Sequence, residues 1–563
     1  MFHAPKTWRE ETIATALASR ALLDYRGSLV TLDMIAELKD AADLDGERKS
    51  VITAAVRFDW SHFPDGGNFS RTHFAESAIF VGSTWSGDAT FADCSFDQEA
   101  RFTFCVFDSF VDFRRAAFNE MTVFSEARFG VTFPTLVAGS QAITWFGQAR
   151  FLGKTYFTGV FFAGAADFPD CVFNEETRLG GLVVGGSFFS LSHATVRGNM
   201  HVTASAPMVW LDHITVDSGA RLYLDLRRAE VSLQHAQLNE DVYLSYWSGE
   251  HGTTAMLSDL CVVERLGGSR VADSVHPRLL AVRGTSLARL VLRDVDLWAC
   301  RFTGARNLSS LTMVGRRLLP RIRGRLRVAD EVGWQRSLGR SSGGWADSYN
   351  ESAMETRLKA TTAADSATAD MRAELRGIRS ALPEPRAQDV QIIYRTLRTL
   401  LEGSGDKPGA DDFYYGEMEV RRTAPRHEPL TSGWTQHALV WLYYGLSGYG
   451  LRASRAFGWF FILLLLGTFG LHVTTTVAPH STTAATAVAI PGSPRANGTD
   501  TGAPALFPDA LLSAFQLSTL PLSRTEPLLR YSRPGELVRL CLVVIGPALL
   551  TLALIAIRAR IRR

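Results

Sequence analysis

Several kinds of chemistry are missing from this sequence. Its 563 residues hold six cysteines (Cys94, Cys105, Cys171, Cys261, Cys300 and Cys541), with no CxxC pair and no tight cluster. A disulfide scaffold is small and dense in cysteine, so buried, reduced thiols are expected here instead. The 13 histidines show no HxH, HxxxH or His–Cys spacing suited to zinc. No GxSxG elbow, glycine-rich dinucleotide turn or kinase signature occurs. GSGDKPG (403–409) lacks the Gly-Lys-Ser/Thr ending of a phosphate loop and follows a helical pattern rather than a strand. A surplus of one charge is missing too: 59 Lys plus Arg stand against 57 Asp plus Glu, a net +2. Nucleic-acid binders usually carry a basic face or stripe, so no nucleic-acid partner is expected. These absences predict no catalytic, cofactor or metal site and no small-molecule substrate. The N-terminal stretch MFHAPKTWREETIATALASRALL has no apolar core behind a basic start and is not read as a signal peptide. Residues 1–56 are expected to be a helical cap on the unit that follows.

What is present is phenylalanine, 34 in all, and its placement is periodic. Large apolar residues recur at alternating intervals of six and five: Phe63, Phe69, Phe74, Phe80, Trp85, Phe91, Phe96, Phe102, Phe107, Phe113, Phe118, Phe124 and Phe129. After a gap of 17 the series resumes at Phe146 and runs through Phe151, Phe157, Phe162, Phe168, Phe173, Leu179 and Val184. That gap equals six plus five plus six, so Thr135 and Ser140 are expected to fill the two missing slots. Two positions before most large residues sits a smaller one, such as Ala89, Cys94, Ala100, Cys105, Ala116, Ala127 and Cys171. Residues i and i−2 of a strand face the same way, so both should point inward from one short flat face. A helix of period 3.6 does not give this pattern, nor does an ordinary alternating strand. Stacked aromatics at fixed spacing read as core, which places Phe91, Phe96, Phe102, Phe107, Phe113, Phe118, Phe124 and Phe129 in a solenoid core ladder. Between Ser190 and Leu280 the repeat blurs into short alternating strands. A strict five-residue period then appears at Val282, Leu287, Leu292, Leu297 and Phe302.

Segments such as ATFADCSFDQEARFTFCVF (89–107) resemble the pentapeptide-repeat family. That resemblance implies a right-handed, four-sided β-solenoid with one large residue per face. Four faces at an average of 5.5 residues give coils of about 22 residues, stacked about 4.8 Å apart. On that count Cys105 and Cys171, 66 positions apart, should share a face three coils apart. The solenoid is expected over 57–312, its open ends covered by the N-terminal helical segment and by residues after Leu308. Some pentapeptide-repeat proteins mimic DNA and inhibit topoisomerases. Over 58–180 acids outnumber Lys plus Arg only roughly two to one, and with the membrane attachment read below, that role is not expected.

Residues 313–386, basic at first and then rich in Ala, Ser and Thr, read as a partly disordered linker. DVQIIYRTLRTLLEG places Val390, Ile393, Leu397, Leu400 and Leu401 at helical spacing, and a helical hairpin is expected over 387–430. Residues 431–563 read as a membrane unit. AFGWFFILLLLGTFGLHVTTTV (456–477) carries no charge, and at 1.5 Å per residue about 22 residues span roughly 33 Å, enough for the ~30 Å hydrocarbon core. LVRLCLVVIGPALLTLALIAI (537–557) is the second span. ALVWLYYGL (438–446) is too short to cross and is expected to lie in the interface. Between the spans, residues 507–520 form an interfacial or re-entrant helix resembling a channel pore helix, with Phe507, Leu511, Phe515, Ser518 and Thr519 as candidate pore-helix residues. No TxGYG filter follows Thr519, and the GYG at 448–450 precedes the first span. Arg421, Arg422, Arg426, Arg452 and Arg455 precede the first span, and Arg558, Arg560, Arg562 and Arg563 follow the second. The loop between holds only Arg495, Arg524, Arg530 and Arg533, so both termini are expected on the cytoplasmic side of the inner (plasma) membrane.

YRTLR, GDKPGADDFYYGEMEVRR and SGYGLRASRAFGW resemble actinobacterial membrane proteins that join pentapeptide repeats to a two-helix, ion-channel-like membrane unit. The functional expectation is a non-catalytic cytoplasmic scaffold or sensor with membrane lipid and a protein partner. The alternative is a homo-oligomeric ion channel regulated by the solenoid.

Overall fold

A computed structural model describes residues 5–44, 49–130, 144–185, 188–248, 276–297, 300–315, 319, 386–424, 433–451, 453–477, 506–519 and 529–561. The chain divides into two compact units, Met1–Ser404 and Gly405–Arg563. The first is a β-solenoid of stacked parallel coils. The strands Ala78–Ile79, Thr84–Trp85, Ala89–Thr90 and Ser95–Phe96 make one coil of 22 residues. Each pairs in parallel, in register, with its equivalent 22 residues on: Ala78 with Ala100, Thr84 with Val106, Ala89 with Val111 and Ser95 with Ala117. The small and large residues both face inward, as in Ala100 and Phe102, which are fully buried, with Arg101 between them partly exposed.

The alternation of five and six has a structural cause. Every five-residue interval from Phe58 to Phe173 turns through a left-handed residue two positions after the large one, including Asp93 (φ 58°), Phe104 (φ 58°), Arg115 (φ 57°) and Glu126 (φ 57°). The turn closes by a hydrogen bond from the small residue back to the large one, as from Cys94 N to Phe91 O at 3.2 Å. A positive φ at the third residue is the signature of a type II turn. The six-residue intervals are wider corners without a left-handed residue at that position, although Gly66 (φ 76°) takes one a residue later, so two corner types alternate around each coil.

The inward rings stack coil upon coil. Tyr25, Phe58, Phe80, Phe102, Phe124 and Phe157 form one column with centroids 4.8, 5.1, 4.9, 4.8 and 4.6 Å apart. Phe96, Phe118, Phe151 and Phe173 form another, with spacings of 4.9, 5.0 and 5.0 Å. Phe91 and Phe113 stack in a third column and Phe107 and Phe129 in a fourth, and all eight of the ladder residues read from the sequence are buried.

The expected register across the gap is not what the structure shows. Phe113 stacks directly on Phe146 at 5.0 Å and Phe129 directly on Phe162 at 4.9 Å, although 33 positions separate each pair. The strands agree, with Ala117 paired to Arg150 and Arg128 to Phe161. Thr135 and Ser140, expected to fill the gap, lie outside the described residues. The 11 extra positions equal one five plus one six, so the periodic phase of the sequence is the same on both sides of them. The face shared by Cys105 and Cys171 is corrected for the same reason. Cys171 donates to Phe146 O at 3.0 Å and Cys94 to Phe69 O at 2.8 Å, both on the Phe69–Phe91–Phe113–Phe146 column. Cys105 instead donates to Phe80 O at 3.0 Å, on a different column. Burial pushes the Cys94 and Cys105 thiols up to about 12, so they stay protonated and inert.

The blurred region is a change of coil. Beyond Phe173 two short strands fuse into one long one: Thr177–Val184, then Met200–Ser205, Leu222–Arg227 and Val242–Tyr246. Leu222, Leu224 and Leu226 are buried in alternation, giving period two instead of the five–six ladder. The strict fives farther on set coils of 20 residues, as Ala281 bridges Arg301 and Ser286 bridges Arg306.

Both ends are covered. At the start, Leu23–Asp24 already pairs with Val56–Arg57, and Tyr25 stacks on Phe58, so the solenoid begins inside the segment expected to be purely helical. Helix α2 (Leu32–Asp40) closes the end with Met34, Ile35 and Leu38. Helix α1 (Lys6–Ser19) is tied to it by Arg9 Nη2 on Glu37 Oε1 at 2.6 Å. At the other end helix α3 (Ala387–Gly403) lies against Leu308–Ser310 and buries Val390, Ile393, Tyr394, Leu397 and Leu401. The unit boundary falls in the turn of the hairpin expected over 387–430. The linker expected over 313–386 lies almost wholly outside the described residues.

Phe102→Ala should destabilise the solenoid by about 3–5 kcal/mol, because the cavity lies between two rings that cannot close on it. Phe104→Ala, at an exposed corner, should stay within ~0.5 kcal/mol. Thermal unfolding followed by circular dichroism compares them, and equal effects would remove Phe102 from the core.

Candidate functional site: the helical membrane unit

The second unit holds two helices long and apolar enough to cross a membrane. Helix α6 (Ala453–Thr474) and helix α8 (Arg533–Ile561) contain segments Ser454–Thr474 and Arg533–Ile555 of mean hydropathy 1.9 and 2.4. The first span therefore ends three residues before the expected 477. Thr475–Val477 instead pairs antiparallel with Leu529–Tyr531, joining the end of α6 to the start of α8. Helix α7 (Phe507–Thr519) packs on both spans.

It does so with small residues. Ala510, Ser513, Ala514 and Ser518 are buried, at helical spacing, and Ala510 and Ala514 cluster with Leu471 and Leu542. Two glycines set the close approach: a Cβ on Gly546 would lie 2.6 Å from the Ser518 Cβ, and one on Gly467 2.6 Å from Leu542 Cδ2. Small residues let helix backbones approach where lipid gives no hydrophobic drive to association. Of the candidate pore-helix residues, Phe507, Leu511 and Phe515 are 37–49% exposed, and Phe507 lies edge-on to His472 of α6 with ring centres 6.1 Å apart. Ser518 is buried and Thr519 partly so, and both hydroxyls donate to Phe515 O, at 3.0 and 2.8 Å. Leu520 and the loop after it lie outside the described residues.

A second cluster was invisible as a motif. Helix α4 (Lys407–Thr423) meets helix α5 (Trp434–Ser447), the segment expected at the interface, and α5 leaves Trp434, Leu439, Trp441 and Leu442 exposed. The Arg422 guanidinium lies 4.3 Å from the ring centres of both Trp441 and Tyr444 and is ion-paired with Glu419. The Tyr449 hydroxyl donates to Glu419 Oε2 at 3.2 Å, and burial pushes its phenol far up. Its ring is enclosed by Tyr415, Tyr443 and Tyr444. The GYG at 448–450 is a left-handed turn (φ 56°, 61° and 77°) that swings Tyr449 into this box. Arg455, in the first turns of α6, donates to Tyr444 O at 3.2 Å, and Trp459 Nε1 to Gly445 O at 3.0 Å. The arrangement fastens α4, α5 and the start of the first span into one junction. The spacing of Glu419 with Arg422 and of Trp441 with Tyr444, each i to i+3, is the signal that could have disclosed it.

Among the described residues no group of three or more His, Cys, Asp or Glu side chains is arranged to hold a metal. No family profile, curated protein or solved structure matches the chain.

Gly546→Val should lower the stability of the helical unit by about 1–3 kcal/mol by forcing α7 off α8. The same change at Gly458, where a Cβ meets nothing within 4 Å, should shift it by less than ~0.5 kcal/mol. Unfolding of the detergent-solubilised chain in SDS checks the pair, and equal shifts would contradict the close α7–α8 contact.

Proposed function

We propose that this chain is a membrane-anchored repeat scaffold, with its solenoid in the cytoplasm presenting a regular surface to a protein partner and performing no chemistry itself. The observation that carries the reading is the pairing of a long, capped stack of coils with a two-span helical unit on one chain. The arginines flanking the spans favour cytoplasmic termini at the plasma membrane. The pentapeptide-repeat resemblance supports a non-catalytic role, resting on the repeat and on the stacked coils. Crosslinking in intact cells, followed by isolation of the full chain, should recover a cytoplasmic protein joined through solenoid residues. Crosslinks confined to the helical unit, or none above a tagged control, contradict the scaffold.

A second reading, a homo-oligomeric pore regulated by the solenoid, is favoured by one feature: α7 packs on both spans while Leu511, Leu512 and Phe515 stay exposed. Ion flux through proteoliposomes separates the readings. The scaffold predicts a tight bilayer at high protein load, and a flux that rises with protein would favour the pore.

A further inference from the structure

One corner of the solenoid carries an unbroken run of histidines. His193, His213 and His235 occupy the same left-handed corner in successive coils, with φ of 60°, 59° and 53°. Their rings stack at 4.5 Å and 5.0 Å, nearly parallel. In the next coil that corner is Gly284 (φ 73°), where a Cβ would lie only 2.4 Å from His235 Nδ1. The missing side chain leaves an open groove of about 560 Å³ above the last imidazole. Its polar lining is His213, His235, Gln237, Asn239, Ser286 and Arg306, with no carboxylate among the lining residues.

Several arginines elsewhere on the solenoid turn to acids: Arg115 to Asp93, Arg114 to Asp112 and Arg178 to Glu176. Arg306 instead lies across the groove floor, its Nε donating to Gly284 O at 3.1 Å. Two imidazoles, a guanidinium, two amides and a hydroxyl thus line one open space with no acid among them. We propose that this groove binds a phosphate-type oxyanion, held by Arg306 and by the ring N–H groups of His235 and His213. Phosphate suits the set because its oxygens accept several charge-assisted hydrogen bonds at once.

Binding strengthens as pH falls. His213 is held below the ordinary imidazole range by burial and then by repulsion from His193 and His235, with Asp212 acting against them. An anion removes that repulsion and draws protons onto the stack. The charged and titratable groups around it are His193, Asp212, Arg283 and Arg306. Asp212 is engaged in its own corner, accepting from Ser232 Oγ and Gln234 N, both at 2.7 Å. Arg283 supplies the backbone carbonyl that accepts from His235 N at 2.7 Å.

Calorimetric titration of the full chain in detergent with inorganic pyrophosphate tests this. Affinity should fall at least about tenfold between about pH 5.5 and pH 7.5. Arg306→Gln and His235→Asn should each lose about tenfold or more at the lower pH, while Arg289→Gln, whose arginine is paired with Asp241, should bind as the parent. Circular dichroism confirms that each variant is folded. A parallel arm replaces pyrophosphate with anionic phospholipid vesicles, read against neutral ones. Binding there alone, still lost in Arg306→Gln, upholds the site with a lipid headgroup as its oxyanion. Folded protein that binds neither probe, or binds either one equally well in Arg306→Gln, overturns the proposal. So does pyrophosphate binding that does not weaken with rising pH.

Discussion

The solenoid depends on one contact repeated many times, a buried ring lying flat on its equivalent one coil away. Spacings of 4.4–5.1 Å recur along most of the aromatic columns, close to the ~4.8 Å at which strand backbones pair. Ring stacking and strand pairing therefore demand the same rise, and neither strains the other. Each buried ring contributes roughly 1.5–3 kcal/mol by removal from water. Each coil touches only its neighbours, so stability accumulates along the stack and the ends must be covered. Tyr25 at one end and α3 at the other follow from this requirement.

The helical unit is built on the opposite principle. Inside a bilayer large apolar residues gain little by leaving lipid, and between α6, α7 and α8 glycine, alanine and serine let the backbones approach while Leu471 and Leu542 fill the contact. Leu511, Leu512 and Phe515 stay exposed on the opposite side of α7. The junction at Arg422 and Tyr449 uses a third device, a cation held between aromatic rings with its acid alongside. Such a contact suits a region that is apolar on one side and wet on the other.

Much of this was legible in the sequence, because the ladder places its large and small residues by simple period. Phe91 to Phe129 are core rungs as read, and both apolar helices lie where hydropathy puts them. The insert was not legible. Eleven residues are half a coil, so periodicity continues across 131–143 whether or not the segment joins the ladder. The first coil was missed because Leu23, Tyr25 and Val30 are too few to display a period. On α7 the large residues drew attention, whereas the packed face is the quiet one, Ala510, Ser513, Ala514 and Ser518. The histidine corner escaped because its members lie 20 and 22 positions apart, a spacing that has meaning only once the coil length is known.

The central claim is that coils stack in register through the aromatic columns, directly across the insert. Nitroxide labels at outward positions on neighbouring strands test it most directly, in full-length protein whose accessible native cysteines have been replaced. Labels at Ser95 and Ala117, paired within the regular ladder, should show strong dipolar broadening from strands about 4.8 Å apart. Labels at Ala117 and Arg150, paired across the insert, should broaden equally. Broadening at the first pair but not at the second would mean that the inserted half-coil is part of the ladder, and would contradict the account.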